Sequence, residues 1–273
     1  MSELTATPQS RYTFDNADPE ASRRVRLLAA DLDAHSIRVL EGLGVAAGWH
    51  CLDVGPGAGT ITAWLADRVG PAGRVTALDI DPRHVEGGPN VEIVQDDINT
   101  ADLPTGRYDL IHARLVLMHL PARERILRSL AAALRPGGRL VISDWDTSQR
   151  HGLLLNQSPE AGEAFDAYHD ALAELVLGNG GDLTWAKRVP LAMREAGLTQ
   201  IVGEADSRLA AGGEPGCLLH AANTYQLEGA LLANGMTPRQ IEAVPRTMQD
   251  PGTLVYSYWM YTTVGRRPEN PDH

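Results

Sequence analysis

The chain has 273 residues, 43% hydrophobic, 22% charged and 5% aromatic, enough apolar material for a full core without disulfides or a structural metal. Its formal net charge is −11, with the positive side almost entirely arginine, so nucleic acid is repelled by the surface at large and a small molecule in a pocket is the expected partner. Two distant cysteines, Cys51 and Cys217, exclude a disulfide scaffold, while the missing long apolar run and the start MSELTATPQSRYTFDNADPE argue against a membrane span or signal peptide and for a cytoplasmic protein.

Residues 19–43 carry amphipathic spacing for one or two helices, with Ser36 a candidate cap. A short apolar run at 49–54 reads as a strand running into glycines. Helical spacing follows from Gly59 to Val69, stopped by Gly70-Pro71. Further strands are expected at 74–79, 91–95 and 108–113. Between the second and third of these four, Asp81 to Pro89 leaves room for one helical turn at most. Pro121 suits a first helical turn, and Ile126, Leu127, Leu130, Ala131 and Leu134 form an apolar stripe that Arg135-Pro136-Gly137-Gly138 ends. A fifth strand follows at 139–144. Strands alternating with helices through short loops imply a parallel sheet covered on both faces. Helices are then expected at 158–178 and 184–196, a strand near 199–209, helices over 216–248 opening at Thr237-Pro238, and a last strand at 253–264. The expected organisation is an N-terminal helical lid at 1–45, an α/β core at 46–150, and a remainder at 151–273 with inserted lid helices.

The chemistry concentrates in Leu52-Asp53-Val54-Gly55-Pro56-Gly57-Ala58-Gly59-Thr60. Glycines between a strand and a helix let a ligand approach the backbone, and the helix start offers free N–H groups. Thr60 stands where a dinucleotide fingerprint starting at Gly55 needs glycine or alanine, and no lysine is present to make a P-loop. Asp53 is awkward beside a pyrophosphate but favourable beside a cationic or zwitterionic ligand. Asp79, closing the second strand, stands where a carboxylate accepts both hydroxyls of a ribose. Asp97, after the third strand, is placed to accept from an adenine amino group while Ile98 packs on the ring. Three acids and a glycine turn thus fall at the carboxyl ends of successive parallel strands, where open α/β sheets bind ligands.

These segments, LDVGPGAG, VTALDID, VQDDI, YDLIHARLVLMHLP and LRPGGRLVISD, resemble the class I S-adenosylmethionine-dependent methyltransferases from about Trp49 to Asp144. HARLVLMHLP is similar to bacterial enzymes that methylate small molecules of specialised metabolism. The resemblance implies a three-layer, Rossmann-like sheet of seven strands, six parallel and one antiparallel, with the last hairpin near 199–209 and 253–264. It implies S-adenosylmethionine as cofactor and S-adenosylhomocysteine as product. By position, Asp53 and the backbone of Gly55, Gly57 and Gly59 would line the methionine moiety, and Thr60 would help hold its carboxylate. Asp79 with Ile80 would take the ribose side, Asp97 and Ile98 the adenine, and Ala113 and Arg114 would offer main-chain groups to the amino group. Tyr12 and Phe14, before the first helix, are placed to close over the cofactor.

The expected reaction is methylation of a small organic acceptor, most simply on a hydroxyl, with N- or C-methylation or a catalytically silent cofactor-binding protein as alternatives. A nicotinamide oxidoreductase is disfavoured by Asp53 and Thr60. A base-amine methyltransferase is disfavoured by Met118-His119-Leu120-Pro121 where its catalytic tetrapeptide would stand. A hydroxyl acceptor calls for a general base at the carboxyl edge of the sheet. His119 meets that condition, with Asp144 either orienting it or acting as base itself. His112 reads as structural, and His169, on a lid helix with Tyr168 and Asp170, as a residue of a solvated face, with pointing into the chamber as the alternative. Among Trp145, Trp185, Trp259 and the tyrosines of 256–261, some would line an aromatic-acceptor pocket and most would be core. The histidines show no metal-ligand spacing, so no metal is expected. Lids of this kind often pack across a homodimer.

Overall fold

The computed structural model describes residues 13–14, 20–155 and 158–269. In chain order the elements are α1 (Ala21–Gly42), β1 (His50–Val54), α2 (Thr60–Val69), β2 (Arg74–Asp79), β3 (Val91–Gln95), β4 (Tyr108–Arg114), a 3-10 turn at Leu117–His119, α3 (Arg123–Ala133), β5 (Leu134–Asp146), β6 (Leu154–Leu155), α4 (Pro159–Gly178), α5 (Trp185–Glu195), β7 (Thr199–Asp206), β8 (Leu209–Ala211), α6 (Pro215–Gln226), α7 (Glu228–Ala233), α8 (Pro238–Gln249), β9 (Leu254–Tyr256) and β10 (Trp259–Arg266).

The main sheet has seven strands in the order β3-β2-β1-β4-β5-β10-β7. Strands β1 to β5 pair in parallel, and β10 runs antiparallel to both β5 and β7. This is the three-layer arrangement, with one reversed strand, that the resemblance implies. Period-two alternation explains its two covered faces. Cys51, Val75, Leu110 and Val141 pack under α1 and α2 with Leu40, Ile61 and Leu65. Their neighbours Leu52, Ile111, Leu140 and Ile142 pack under α3 and α5 with Leu127, Leu130 and Trp185. The chain leaves β1 toward β2 and later returns to β4 on its other side, so the strand order reverses beside β1. The carboxyl ends there form the crevice where ligands bind.

A third core lies apart from the sheet, where Phe165, Tyr168, Cys217, Leu231, Val244 and Met248 bring α4, α6, α7 and α8 together. Helix α6 packs on α1 and α8, which sets this helical layer beside the carboxyl edge. Thr237 starts α8 with a capping box, its hydroxyl accepting from Gln240 N while the Gln240 side chain accepts from Thr237 N.

Some local expectations are corrected. Residues 21–42 form one helix that runs through Ser36 without a break; Ser36 is buried on the sheet-facing side, and its hydroxyl accepts from Arg114 rather than capping anything. Between β2 and β3 the expectation of one helical turn at most holds: a single turn from Pro82 to Val85 packs Val85 over the start of α2. The last two expected strands each divide in two. Around Ser207-Arg208 and Ser257-Tyr258 both chains leave the main sheet together, held by Ser257 N to Arg208 O (2.8 Å) and Arg208 N to Ser257 Oγ (2.9 Å). Beyond that crossing β8 and β9 join β6 in a small three-stranded sheet. Among the described residues no helix is long and apolar enough to cross a membrane, and no cluster of His, Cys, Asp or Glu is arranged to hold a metal.

Candidate active site

The turn after β1 works only with glycine. Gly55, Gly57 and Gly59 have φ of +64°, +57° and +76°, the left-handed region that side chains avoid. A Cβ on Gly55 would stand 2.5 Å from Val116 Cγ2, so the turn is pressed against the loop after β4. A Cβ on Gly57 would meet nothing within 4 Å, because this residue faces open space. That space is an open cleft, about 1140 Å³ with the solvent at its mouth included, across the carboxyl ends of β1, β2 and β4 and the loop after β3.

Of the residues singled out in the sequence, Gly55, Gly57, Asp79, Ile80, Asp97, Ile98, Arg114 and His119 line this cavity. Asp79 accepts from Asp81 N through one oxygen (2.9 Å), and burial raises its pKa above the usual carboxylate value. Asp97 uses one oxygen to accept from Asn99 N and Nδ2, both at 2.9 Å. Arg114 donates to Ser36 Oγ and Asp33 Oδ1, each at 2.9 Å, tying the end of β4 to α1. Acids thus gather at the β2–β3 end, with Asp96 beside Asp97, while Arg114 and Arg24 border the other.

The remaining residues lie elsewhere. Asp53 is buried under α2, where it accepts from Thr62 Oγ1 at 2.7 Å and from His112 Nδ1 at 2.9 Å. Alternation along β1 turns its side chain into the layer beneath the helix, so it braces the glycine turn from behind and does not line the cavity. His112 is structural, as its place inside β4 suggests. Gly59 caps α2, Thr60 opens it, and neither lines the cavity; Ala113 is buried in the sheet. Tyr12 falls outside the described residues.

A second cavity, about 640 Å³ with the solvent at its mouth included, lies under the helical layer and shares Arg24, Leu28, Leu115 and His119 with the first. Aromatic rings dominate its far walls: Phe14, Trp145, Tyr168 and Tyr258, with His169 and His220 among them. Phe14 therefore closes over this chamber, with Arg24 stacked 3.6 Å from its ring centroid and His119 edge-on at 6.3 Å. His169 is 1% exposed and faces inward, correcting the expectation of a solvated helix face; its neighbour Asp170 takes the outward position and pairs with Arg150 and His151. Trp185 is wholly core, and Trp259 and Tyr256 are exposed.

His119 stands on the wall between the cavities. Burial, helped by the charges of Arg24 and Arg123, takes its pKa down to about 3, so the ring is neutral at ordinary pH. Asp144 lines neither cavity. It is buried at the end of β5, facing the amides of Met118 and Val116 and the indole of Trp185, with no contact of full hydrogen-bond geometry. Burial wins, and its pKa is pushed up to about 8.

Four contributors escape sequence reasoning. Arg24 and Leu28 look like ordinary members of an amphipathic helix. Leu115 adopts a left-handed φ of +55° that nothing in its identity announces. Val116 matters through its press against Gly55.

This glycine turn, acid series and crevice at the strand-order reversal define a nucleoside-binding α/β protein. The family described as methyltransferase domain matches residues 16–187, and the chain belongs to it. Its strand order, with β10 reversed, is that of the class I S-adenosylmethionine-dependent methyltransferases its sequence resembles. Among curated proteins it is similar to an uncharacterized 37.1 kDa protein in transposon Tn4556 of Streptomyces fradiae, 34% identical over 50% of this chain and 43% of that protein. It is also similar to the ubiquinone/menaquinone biosynthesis C-methyltransferase UbiE of Pseudomonas fluorescens, 31% identical over 50% of this chain and 54% of that one. The chain spans about half the length of these curated relatives. A solved structure of Haemonchus contortus phosphoethanolamine N-methyltransferase 2, with phosphomonomethylethanolamine and S-adenosylhomocysteine, superposes with a TM-score of 0.60 at 14% identity. That match covers 96% of this chain and 61% of the other, and shows the shared fold. S-adenosylmethionine fits the first cavity on this structure's own terms: a backbone cradle that a Cβ at Gly57 would invade, acids at the β2–β3 end and arginines toward the other.

Proposed function

We propose that this protein transfers a methyl group to a hydroxyl of a small organic acceptor held in the second cavity. One observation carries the reading: two cavities of different character meet at a single wall containing a neutral imidazole, His119. The cofactor supplies a methyl carbon already activated by a positively charged sulfur. Asp79 would hold its ribose and Asp97 with Ile98 its adenine, while the glycine turn and Arg114 border the amino-acid end. The enzyme's task is then alignment and exclusion of water. Phe14 and Arg24 close the acceptor side of the shared wall, and Leu115 is held in its strained backbone by Leu115 N donating to Ser143 O (2.8 Å).

His119 receives the hydroxyl proton as the new oxygen–carbon bond forms. An oxygen that has gained a methyl while keeping its proton is a far stronger acid than even this depressed imidazolium, so the proton moves downhill. Asp144 acts through the backbone, its carboxyl set against the amides of the turn that presents His119. It positions that turn and is not the base. Incubation with S-adenosylmethionine and a panel of phenols, sugars and amines, followed by mass spectrometry, tests the reading. A phenol or alcohol gaining one methyl is the expected product; gain by amines alone refutes it. Carbon methylation is the second reading, favoured by the C-methyltransferases among the relatives. Proton NMR of the product separates a methyl on oxygen from one on carbon.

A further inference from the structure

The far wall of the second cavity, away from His119, holds polar atoms that the fold leaves unanswered. His169 Nδ1 lies 2.9 Å from Phe165 O, a pure acceptor, so Nδ1 carries the proton. Burial and neighbouring His220 hold the His169 ring well below its ordinary pKa, so it is neutral and Nε2 is a bare lone pair. That nitrogen is buried with no protein partner among the described residues, as is Nδ1 of His220, whose ring lies 5.3 Å away. Burial also lowers the His220 pKa, to about 4. Thr147 Oγ1 and Trp145 Nε1, on the same cavity, are likewise buried and without a partner among the described residues. Native folds seldom leave so many polar atoms unanswered around one space. By contrast, the Tyr168 hydroxyl is already engaged, accepting from Asn223 Nδ2 at 3.2 Å.

The charges narrow the ligand further. Among the described residues no carboxylate lines this cavity, and its two cations are Arg24 and Arg150. Arg24 is stacked on Phe14 and donates to Asn223 Oδ1, and Arg150 pairs with Asp170. An ammonium group placed here would find arginines and no counter-charge.

We propose that the second cavity selects an uncharged, planar aromatic acceptor bearing a second hydroxyl remote from the methylated position, and that this hydroxyl donates to His169 Nε2 within the His169–His220 pair. The proposal rests on the reading of this cavity as the acceptor site. It makes His169 a specificity-determining residue that touches the acceptor and leaves the cofactor cavity alone, since His169 lies outside that lining. A site built to pair with a hydroxyl discriminates against the analogue lacking it, because its own buried nitrogen is then left bare.

Calorimetry on the full chain saturated with S-adenosylhomocysteine tests this, with three two-ring probes: 2,7-dihydroxynaphthalene, 2-naphthol and 2-naphthylmethylammonium. The diol should bind about tenfold or more tighter than 2-naphthol, and the cation weakest. In His169→Phe the preference for the diol over 2-naphthol should shrink to about twofold, and His169→Gln, which keeps an acceptor oxygen, should retain part of it. Affinity for S-adenosylhomocysteine should be unchanged in both, which also certifies that they fold. Equal binding of diol and mono-ol, tighter binding of the cation, no binding of any probe, or a preference that survives His169→Phe each overturns the proposal. Loss of S-adenosylhomocysteine binding by the wild-type protein would instead overturn the cofactor reading beneath it.

Discussion

Replacing Asp144 with asparagine should stabilise the protein, by an amount that grows with pH. The carboxyl is buried at the end of β5 with its pKa pushed up to about 8, against an ordinary value near 4 in the unfolded chain. Between those two values the folded state holds a proton that the unfolded state has released, so rising pH through that window destabilises the fold. At 1.36 kcal/mol per unit, the cost of keeping Asp144 protonated is on the order of 4 kcal/mol at pH 7 and under about 1 kcal/mol at pH 4.5. Asparagine mimics the protonated acid, with an oxygen for the amides of Met118 and Val116 and a donor where the acid proton was. Its neutrality removes the pH-dependent cost. Urea unfolding of both proteins at pH 4.5, 6 and 7.5, followed by tryptophan fluorescence, measures the difference directly. A stability gap that stays constant within about 1 kcal/mol across that range, or that narrows as pH rises, would show an ionised Asp144 and refute the reasoning. The same variant should keep kcat within about threefold, since neither oxygen reaches a cavity; a ~100-fold loss would make Asp144 the base.

Three further outcomes are expected. His119→Ala should lower kcat at least ~100-fold with S-adenosylhomocysteine affinity held within about twofold, and the wild-type rate should show no histidine limb between pH 5 and 8; near-normal turnover in the variant would shift proton removal to the acceptor's own ionisation. Asp79→Ala should weaken S-adenosylhomocysteine binding by ~1.5–3 kcal/mol in calorimetry, with Asp97→Ala acting the same way more weakly, and unchanged affinity would show that the ribose does not lie at β2. Gly57→Ala puts a methyl into the first cavity at a left-handed position costing roughly 1–2 kcal/mol, so both melting temperature and cofactor affinity should fall; a variant that binds S-adenosylhomocysteine normally would remove the turn from the site.

The sheet from β1 to β5 was legible because its information is local. A buried parallel strand, a glycine turn and an amphipathic helix each announce themselves within a dozen residues, and a carboxylate at a strand end falls where the topology brings ligands. Side-chain direction within that frame was less legible. Asp53 sits one residue from Val54, which lines the first cavity, yet alternation aims its carboxylate beneath α2 at Thr62 and His112. Ser36 has the composition of a cap, but the helix gains more from burying it against Arg114 than from ending there. The crossing at Ser207 and Ser257 depends on two segments 50 residues apart changing sheets together, which neither segment reveals alone.

The proposed acceptor chamber shows why specificity is harder to read than cofactor chemistry. Its wall is assembled from Phe14, Trp145, His169, His220 and Tyr258, contributed by segments spread over almost the whole chain, and no spacing rule connects them. In sequence Phe14 reads as a flap over the cofactor, His169 as a solvated helix face and Trp145 and Tyr258 mostly as core; only the shared void and the unanswered nitrogens of His169 and His220 bring them together as one wall. That separation has a consequence for how the protein tolerates change. On the proposed reading, substitutions on the far wall would alter what is bound without touching the glycine turn or the acids of β2 and β3. Arg24, Leu28, Leu115 and His119 belong to both cavities, so a change at any of them moves cofactor and acceptor together. Selectivity can therefore shift at the helical layer while the sheet edge keeps its cofactor. In the proposed reaction the shared wall would couple the two, because transfer would require both ligands to meet across those four residues.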